Sequence, residues 1–344
     1  MKRTRAALLV VLGACCCTAQ ALAQPPPGYY DSAQGLYGED LKLALYDIIS
    51  PHTVHTNAQL WGDFASTDRR ADNPNLVWDI YSDNPSGAEP YVYTFGADQC
   101  GTYDSEGDCF NREHTVPQSW FESQLPMVTD LFHVMPTDGW VNQKRGDLPY
   151  GLVGGTDYLS QNGTRTGNSI TPGYGGTVCE PIDAFKGDIA RNYFYMMTRY
   201  YALVDGWSGD MFQGGDLSPW AEQLLVSWHL EDPVSSKETD RNNAIFAIQD
   251  NRNPYIDHPE WVERIWGETA GISTTSNGSS DLWIAGNVVF QPTSRNAQPA
   301  TLQDATGRVV WSGMCQAPSF ELPVELRSGW YLLRSGPRSL SFVR

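Results

Sequence analysis

The sequence changes its pattern at residues 271–280, a stretch of glycine, serine and threonine with the composition of a linker. Before it, apolar residues recur at helical spacing, as in residues 39–50 and 186–204, whereas after it they alternate and are interrupted by turns. The chain is therefore expected to fold as two domains. We predict an α+β, mostly helical domain over residues 24–270 and a small all-β sandwich over residues 281–344.

The N-terminus predicts an exported protein. In residues 1–23, basic residues precede an apolar run and an Ala-Leu-Ala cleavage site ends at Ala23, which is the pattern of a signal peptide. A competing interpretation places lipoprotein cleavage before Cys15, which would anchor the mature protein to a membrane. We favour release to the medium or the cell surface because the Ala-Leu-Ala site is well placed. Later in the sequence, no apolar stretch reaches the roughly 18 residues of a membrane-spanning helix.

Several local elements are predicted in the first domain. Helices are expected after Ser218, an N-cap type of residue that is followed by proline, and over residues 236–249. Residues 77–81 and 91–95 are rich in β-branched and aromatic side chains and predict strands. Residues 146–180 are dominated by Gly, Thr, Asn and Asp, which predicts a long irregular loop that serves or covers a site.

Four cysteines follow the leader: Cys100, Cys109, Cys179 and Cys315. Cys100 and Cys109 flank a loop rich in glycine and aspartate, and in an oxidising compartment a bridge between them would close a short ring. We predict that disulfide. A metal site is the weaker alternative because no second Cys or His pair has the spacing of a zinc site. The pairing of Cys179 and Cys315 stays open.

One segment places three groups in a row that phosphodiester hydrolysis needs. Residues 111–121 read NREHTVPQSWF, so a guanidinium, a carboxylate and an imidazole are consecutive just before a proline. In a regular strand Glu113 and His114 would point to opposite faces, and both can serve one site only where the chain bends. A strand end before a proline is a suitable place for such a bend.

A second segment predicts a short helix that carries polar groups on one face. Residues 130–146 read DLFHVMPTDGWVNQKRG, in which Asp138 is a candidate N-cap and Gly146 a candidate helix stop. Within this helix Asn142 and Arg145 are three residues apart and hence on one face. They could present an oxygen ligand and a cation to the same phosphate.

These two segments resemble the endonuclease I family of secreted nucleases. Two later segments share the resemblance, RNN at residues 241–243 and QDNRNPYIDHPEW at residues 249–261. The resemblance covers roughly residues 35–268, in the same order. It implies a ββα-metal (His-Me finger) core, in which a β-hairpin carries the general base and a helix carries a metal ligand.

The resemblance implies a role for three residues in hydrolysis. Glu113 and Asn142 would hold one divalent ion, for which we expect Mg²⁺, with Mn²⁺ and Ca²⁺ as alternatives. His114 would be the catalytic base that takes a proton from the attacking water. The expected activity is metal-dependent, sequence-nonspecific cleavage of DNA and RNA that leaves 5′-phosphate ends.

The same resemblance suggests which residues contact phosphate. Arg145 would clamp the scissile phosphate by charge-assisted hydrogen bonds, with Arg112 and Lys144 as further phosphate contacts. The chain departs from many members in one place, since Phe132-His133 stands where they have two histidines. The role of His133 is therefore open between catalysis and support of the hairpin.

A second resemblance concerns the C-terminal part. LQDATGRVVW at residues 302–311 and LRSGWYLLR at residues 326–334 resemble the C-terminal sorting domains of the type IX secretion system. This implies that the secretion machinery is a partner and that residues 281–344 direct the protein across the outer membrane. A generic adhesion or binding module is the alternative, because many functions share sandwich folds.

Two other functions compete with the nuclease. A non-catalytic surface protein would bind extracellular DNA or glycans through its aromatic residues. The presence of Glu113, His114 and Asn142 argues against it, because random substitution of a relic site would be expected to remove one of the three. A phosphodiesterase that acts on small nucleotides is the milder alternative, and a comparison of plasmid with dinucleotide substrates separates the two enzymes.

The charge of the chain predicts how salt affects the nuclease. With 40 Asp and Glu against 23 Lys and Arg, the formal net charge is −17, so the protein as a whole repels DNA. Moderate salt should screen this repulsion, and the initial rate of DNA cleavage should rise before it falls. A rate, measured over a salt series, that falls steadily from the lowest salt upward would contradict this expectation.

Overall fold

A computed structural model describes residues 25–267, 283–285, 288–290, 298–304, 307–315, 319–321, 330–335 and 338–343. The predicted signal peptide and the linker over residues 271–280 lie outside the described residues. The proposed domain boundaries therefore stay predictions.

Helices form the larger part of the regular structure in residues 25–267. They are α1 (Gly38–Ile49), α2 (Leu60–Thr67), α3 (Gly139–Arg145), α4 (Lys186–Arg199), α5 (Pro219–Glu231), α6 (Ser236–Gln249), α7 (Pro254–Asp257) and α8 (Glu260–Trp266). The helices predicted over residues 39–50 and 236–249 and after Ser218 are confirmed as α1, α6 and α5. The helix predicted over residues 186–204 is confirmed as α4, which ends earlier, at Arg199.

The strands of this part of the chain pair into small antiparallel sheets. They are β1 (Phe110–His114), β2 (Val134–Asp138), β3 (Val153–Leu159), β4 (Arg165–Ser169), β5 (Thr177–Glu180), β6 (Phe212–Gln213) and β7 (Asp216–Leu217). β1 pairs with β2, β6 pairs with β7, and β4 lies between β3 and β5. This mixture of helices and separate antiparallel sheets is an α+β architecture, as the sequence predicts.

The loop predicted over residues 146–180 is wrong, because β3, β4 and β5 form a three-stranded sheet there. The glycines that suggested a loop are needed where the strands approach closely. A Cβ atom added to Gly167 in β4 would lie 1.8 Å from the carbonyl oxygen of Gly155 in β3. Glycine in a strand interior often marks such a close approach of two backbones.

The strands predicted over residues 77–81 and 91–95 are also wrong, since only isolated bridges occur there, such as Leu76 with Thr94. Local side-chain bonds give the physical reason: Oδ1 of Asp79 accepts from the backbone N–H of Tyr81 at 2.8 Å, and Oδ2 of Asp98 accepts from the N–H of Thr94 at 2.7 Å. Such a local side-chain bond competes with a strand ladder. The chain turns there.

The C-terminal segments that the structure describes are all strands. They are β8 (Trp283–Ala285), β9 (Val288–Phe290), β10 (Gln298–Asp304), β11 (Val309–Cys315), β12 (Ser319–Glu321), β13 (Trp330–Ser335) and β14 (Arg338–Val343). They form two antiparallel sheets, with strand orders β11-β10-β13-β14 and β12-β9-β8. The sandwich arrangement of these sheets stays a prediction.

The core of residues 25–267 is built around α4, in which every residue from Lys186 to Thr198 is buried. This helix packs against α1, α5 and α7. Among the described residues, no helix combines the length and apolar character needed to cross a membrane.

A buried polar network fixes the chain just before β2. The Asp130 carboxylate accepts hydrogen bonds from the hydroxyls of Tyr195, at 2.9 Å, and Tyr200, at 2.7 Å, and from the amide of Gln249, at 3.1 Å. The Oε1 atom of Gln249 accepts from the backbone N–H of Leu131 at 2.7 Å. The family-like motif around Gln249 therefore supports the hairpin from behind.

Arg241, in the other family-like motif, has a similar supporting position. Its Nε donates to Asp68 at 2.7 Å, and its Nη2 donates to the carbonyl oxygens of Leu131 and Val134. The start of β2 is thus held by side chains from α6 and from the end of α2.

The predicted site residues lie on the β1–β2 hairpin and on helix α3, which begins directly after β2 and packs against both strands. The two strands are antiparallel, and His114 lies opposite Val134. Asp138 ends β2 and caps α3 by accepting from the N–H of Val141 at 2.7 Å, while Gly146, with φ of 52°, follows the last turn. The predicted helix cap and helix stop are confirmed.

Asp138 also binds the loop in front of β1, so the variant Asp138→Asn should be less stable. Its Oδ2 accepts from the hydroxyl of Tyr93 and from the N–H of Gly107, the latter at 2.8 Å. In the variant an amide N–H can replace this acceptor, which leaves a donor without a partner, and the free energy of unfolding should fall by about 1–3 kcal/mol in urea denaturation.

The control is Asp157→Asn on the exposed face of β3, where the same chemical change should cost less than about 0.5 kcal/mol. Equal stability of the Asp138 and Asp157 variants would contradict the anchoring role of Asp138.

Candidate active site

Glu113 lies on β1 with its carboxylate in the protein interior, and its side chain is 2% exposed. Its Oε1 accepts hydrogen bonds from the hydroxyls of Tyr81, at 2.7 Å, and Tyr150, at 3.4 Å, and from Nη1 of Arg145 at 3.0 Å. Burial raises the pKa of Glu113, and the charge of Arg145 acts in the opposite direction. One oxygen is thereby held in place by three donors.

Arg145 is 1% exposed, and its guanidinium is used within the protein. Besides Glu113, it donates to the backbone carbonyls of His114 at 2.7 Å, Thr115 at 2.8 Å and Leu148 at 3.1 Å. The sequence suggested that Arg145 clamps the scissile phosphate. The structure instead places it behind Glu113, where its guanidinium is bonded within the protein and is not among the residues that line the groove beside His114.

His114 faces a groove next to the hairpin, and its Nε2 lies 3.0 Å from the carbonyl oxygen of Val128. Because a carbonyl only accepts, this contact assigns the hydrogen to Nε2 and the lone pair to Nδ1. Burial, followed by the neighbouring His133, lowers the pKa of His114 to about 3. The imidazole is therefore neutral at pH 7, which is the form that can take a proton.

His133 is fully buried behind His114, with 5.5 Å between the two ring centroids. Its Nε2 lies 2.7 Å from the carbonyl oxygen of Met127, and its ring also contacts Phe121. Phe132, at the position of the additional histidine of other members, packs against Tyr195 in the core. In this structure His133 and Phe132 are packing residues that support the hairpin where β2 begins.

Asn142 projects from α3 toward β1. Its Nδ2 donates to Oδ1 of Asn111 at 2.8 Å and to the backbone carbonyl of Arg112 at 3.1 Å. These two acceptors fix the orientation of the amide, so Oδ1 is directed away from them.

The donor set fits a hard divalent cation. The amide of Asn142 uses its Nδ2 for contacts to β1, and the three side-chain donors to Glu113 all bond to Oε1. Both side chains are thereby fixed and carry hard oxygens, which suits Mg²⁺. The described part of the chain contains no group of three or more His, Cys, Asp or Glu residues that could hold a metal, so such an ion would take few protein ligands.

The groove beside His114 has a volume of about 320 Å³. Its lining residues come from α2, β1 and the loops before and after them: Asn57, Trp61, Cys100, Gly101, Asn111, Arg112, His114 and Gln118. Of the two further predicted phosphate contacts, Arg112 lines this groove. Lys144 is exposed on α3, where its Nζ lies 4.4 Å from the centroid of the Trp140 ring.

The predicted disulfide between Cys100 and Cys109 is confirmed, with a Cα–Cα distance of 5.8 Å. It ties one wall of the groove to the residue before β1. Cys179 is a buried free thiol. The side chain of Cys315 lies outside what the structure describes.

Sequence reasoning missed several residues of this region. Tyr81 and Tyr150, which hold Glu113, lie in segments that were predicted as a strand and an irregular loop. Asn57 and Trp61 also line the groove, although they lie 53 and 49 residues before the start of β1 at Phe110. Asn111 is part of the NREH motif. Its position in the sequence close to Glu113 and His114 could have identified it as a residue of the site.

The position of Arg145 gives a prediction that separates a structural role from a phosphate clamp. The variant Arg145→Met leaves Glu113 buried without its counter-charge, so the free energy of unfolding should fall by about 3–5 kcal/mol in urea denaturation. Lys144→Met, the neighbouring exposed cation, should cost less than about 1 kcal/mol. An Arg145→Met protein of unchanged stability and reduced cleavage rate would favour the clamp.

Comparisons with known proteins agree with the resemblance seen in the sequence. The model of the Endonuclease I family matches residues 37–260. The extracellular ribonucleases of Bacillus subtilis (strain 168) and Bacillus amyloliquefaciens are 34% and 36% identical over 246 residues, which cover 69% of this chain and 78% of each relative. Endonuclease-1 of Buchnera aphidicola subsp. Baizongia pistaciae is 30% identical over 128 residues, 37% of this chain and 46% of the relative. The chain belongs to the endonuclease I family.

Proposed function

We propose that the protein is a secreted, Mg²⁺-dependent endonuclease that hydrolyses DNA and RNA without sequence specificity. The observation that carries this proposal is the state of His114, a neutral imidazole whose Nδ1 lone pair is available beside the groove. A fixed imidazole in its proton-accepting form, next to a groove with an arginine, supplies two of the groups that phosphodiester hydrolysis needs.

Glu113 and Asn142 would hold the divalent ion. Such an ion, when bound, neutralises charge on the phosphate and on the leaving oxygen. Arg145 would act as a positioning residue here. It bonds to Oε1 of Glu113 and so holds the carboxylate in place.

His114 would act on the water that attacks phosphorus. Its Nδ1 takes one proton from the water as the new phosphorus–oxygen bond forms and the bond to the 3′ oxygen breaks. The leaving 3′ oxygen receives a proton from solvent, and the products carry a 5′-phosphate and a 3′-hydroxyl. Nε2 stays bonded to the carbonyl of Val128 throughout, which keeps the ring in place.

The relatives support the substrate class and the location. Two of them are named extracellular ribonucleases and a third is named an endonuclease, so both RNA and export are reasonable for this chain. Export agrees with the signal peptide predicted at residues 1–23. We also propose that residues 281–344 are recognised by a type IX secretion machinery, on the strength of the sequence resemblance alone.

The acidic chain and the few basic residues at the groove favour contacts to backbone phosphate over contacts to base edges. Phosphate contacts carry no sequence information, which supports nonspecific cleavage. The non-catalytic binding protein remains the alternative, and an assay of cleavage decides between them.

The proposal predicts that the full-length protein degrades supercoiled plasmid and a structured RNA in Mg²⁺ and not in EDTA. His114→Ala should lower the initial rate by about 10²–10⁴-fold, because the general base is lost. The control is His258→Ala, whose ring stacks on Trp261 in α8 and should leave the rate unchanged.

The possible results separate the parts of this proposal. Intact plasmid and RNA under all metals and salts would support the non-catalytic binding protein. Metal-dependent cleavage that survives His114→Ala would keep the nuclease and reject His114 as the base.

A further inference from the structure

Arg112 is held in the groove by two contacts that do not involve a carboxylate. The centre of its guanidinium lies 4.6 Å from the centroid of the Trp61 ring, and its Nη1 donates to the backbone carbonyl of Asn57 at 2.8 Å. Trp61 is itself fixed by edge-to-face contacts with Phe64 and Phe110. The start of α2 therefore forms a platform for an arginine that β1 supplies.

Arg112 differs from the fully buried arginines of the core. Arg145, Arg191, Arg241 and Arg252 each form an ion pair with a carboxylate. For Arg112, no carboxylate lies within 4.0 Å in the part of the chain that the structure describes, although the protein is acidic.

Arg112 is half-buried, and burial without a counter-charge is unfavourable for a cation. An anion that enters the groove would supply the missing charge. The planar guanidinium, of which one N–H is held by Asn57, has further N–H donors for a phosphate oxygen.

The position of Arg112 on β1 relates it to the proposed base. Residues two apart in a strand point to the same face and are separated by about 7 Å. Arg112 and His114 both line the groove, whereas Glu113 between them points into the interior. A strand of nucleic acid bound along β1 would meet the guanidinium and the imidazole on the same side.

We propose that Arg112 is the phosphate-binding residue of this groove and that Trp61 is the positioning residue that holds it there. The proposal rests on the proposed nuclease function and deepens it. The sequence suggested Arg145 as the phosphate clamp and Arg112 as a further contact, whereas here Arg112 takes the principal role and Trp61 is added to hold it. The ligand is a backbone phosphodiester of the substrate strand.

The test is binding of a fluorescein-labelled single-stranded oligonucleotide to the full-length protein in EDTA, which prevents the proposed cleavage. Arg112→Met should raise the Kd about tenfold, and the slope of log K against log salt should decrease in magnitude by about 0.7 to 1. Arg112→Lys should recover only part of the affinity, because an ammonium lacks the planar fork.

The matched control is Arg69→Met, which removes the same charge from an exposed residue just after α2. It should change the Kd by less than about twofold, since a distant exposed charge is screened by salt. Urea unfolding of each variant should show unchanged stability.

The role of Trp61 is tested by a double-mutant cycle. Trp61→Phe should weaken binding severalfold in the wild-type background and should have no further effect in the Arg112→Met background. Equal effects in both backgrounds would overturn the positioning role, because the ring would then act on the ligand without Arg112.

Two results would overturn the assignment of Arg112. They are an unchanged Kd and salt slope in Arg112→Met, or an equal loss in Arg69→Met. Plasmid cleavage by the wild-type protein in Mg²⁺ is measured in parallel. If the wild-type protein cleaves plasmid and one of these two binding results is found, the role of Arg112 is rejected and the nuclease function is kept. A wild-type protein that neither binds the oligonucleotide nor cleaves plasmid rejects both.

Discussion

The guanidinium of Arg145 joins helix α3 to the end of strand β1, and the candidate site depends on this junction. One side chain satisfies the carbonyls of His114 and Thr115 and one oxygen of Glu113. A buried carboxylate needs such a partner, and a buried arginine needs acceptors on several of its donors. Both needs are met at once, and the junction fixes the strand end that presents His114.

The remaining family-like motifs support this junction from the core. Asp130 and Arg241 hold the residues that enter β2, and Gln249 bonds to the Asp130 carboxylate and to the backbone N–H of Leu131. None of these groups lines the groove beside His114. Fully bonded polar networks of this kind specify one arrangement, because a change that leaves a buried polar group unpaired is costly. Long motifs in this chain therefore combine residues for chemistry with residues for the geometry of the hairpin.

The sequence predicted those features that depend on local chemistry. Helices with a clear apolar period and the cap at Asp138 were found because neighbouring residues determine them. The strand predicted at residues 77–81 does not form, because a hydrogen bond from the local backbone to the Asp79 side chain replaces the hydrogen bonds of a strand pair. The direction of Arg145 was missed because helical spacing shows that Asn142 and Arg145 share a face but not what that face contacts. Trp61 was missed because only folding brings it to Arg112.

The central claim is that the hydrogen bond to the Val128 carbonyl fixes His114 as a neutral base with its lone pair at Nδ1. Nitrogen-15 NMR of the histidine rings in the full-length protein at pH 7 tests this claim most directly, with His114→Ala to identify the signals among the six histidines. The account predicts a neutral ring that carries its hydrogen on Nε2. A ring protonated on both nitrogens, or one with its hydrogen on Nδ1, would contradict it.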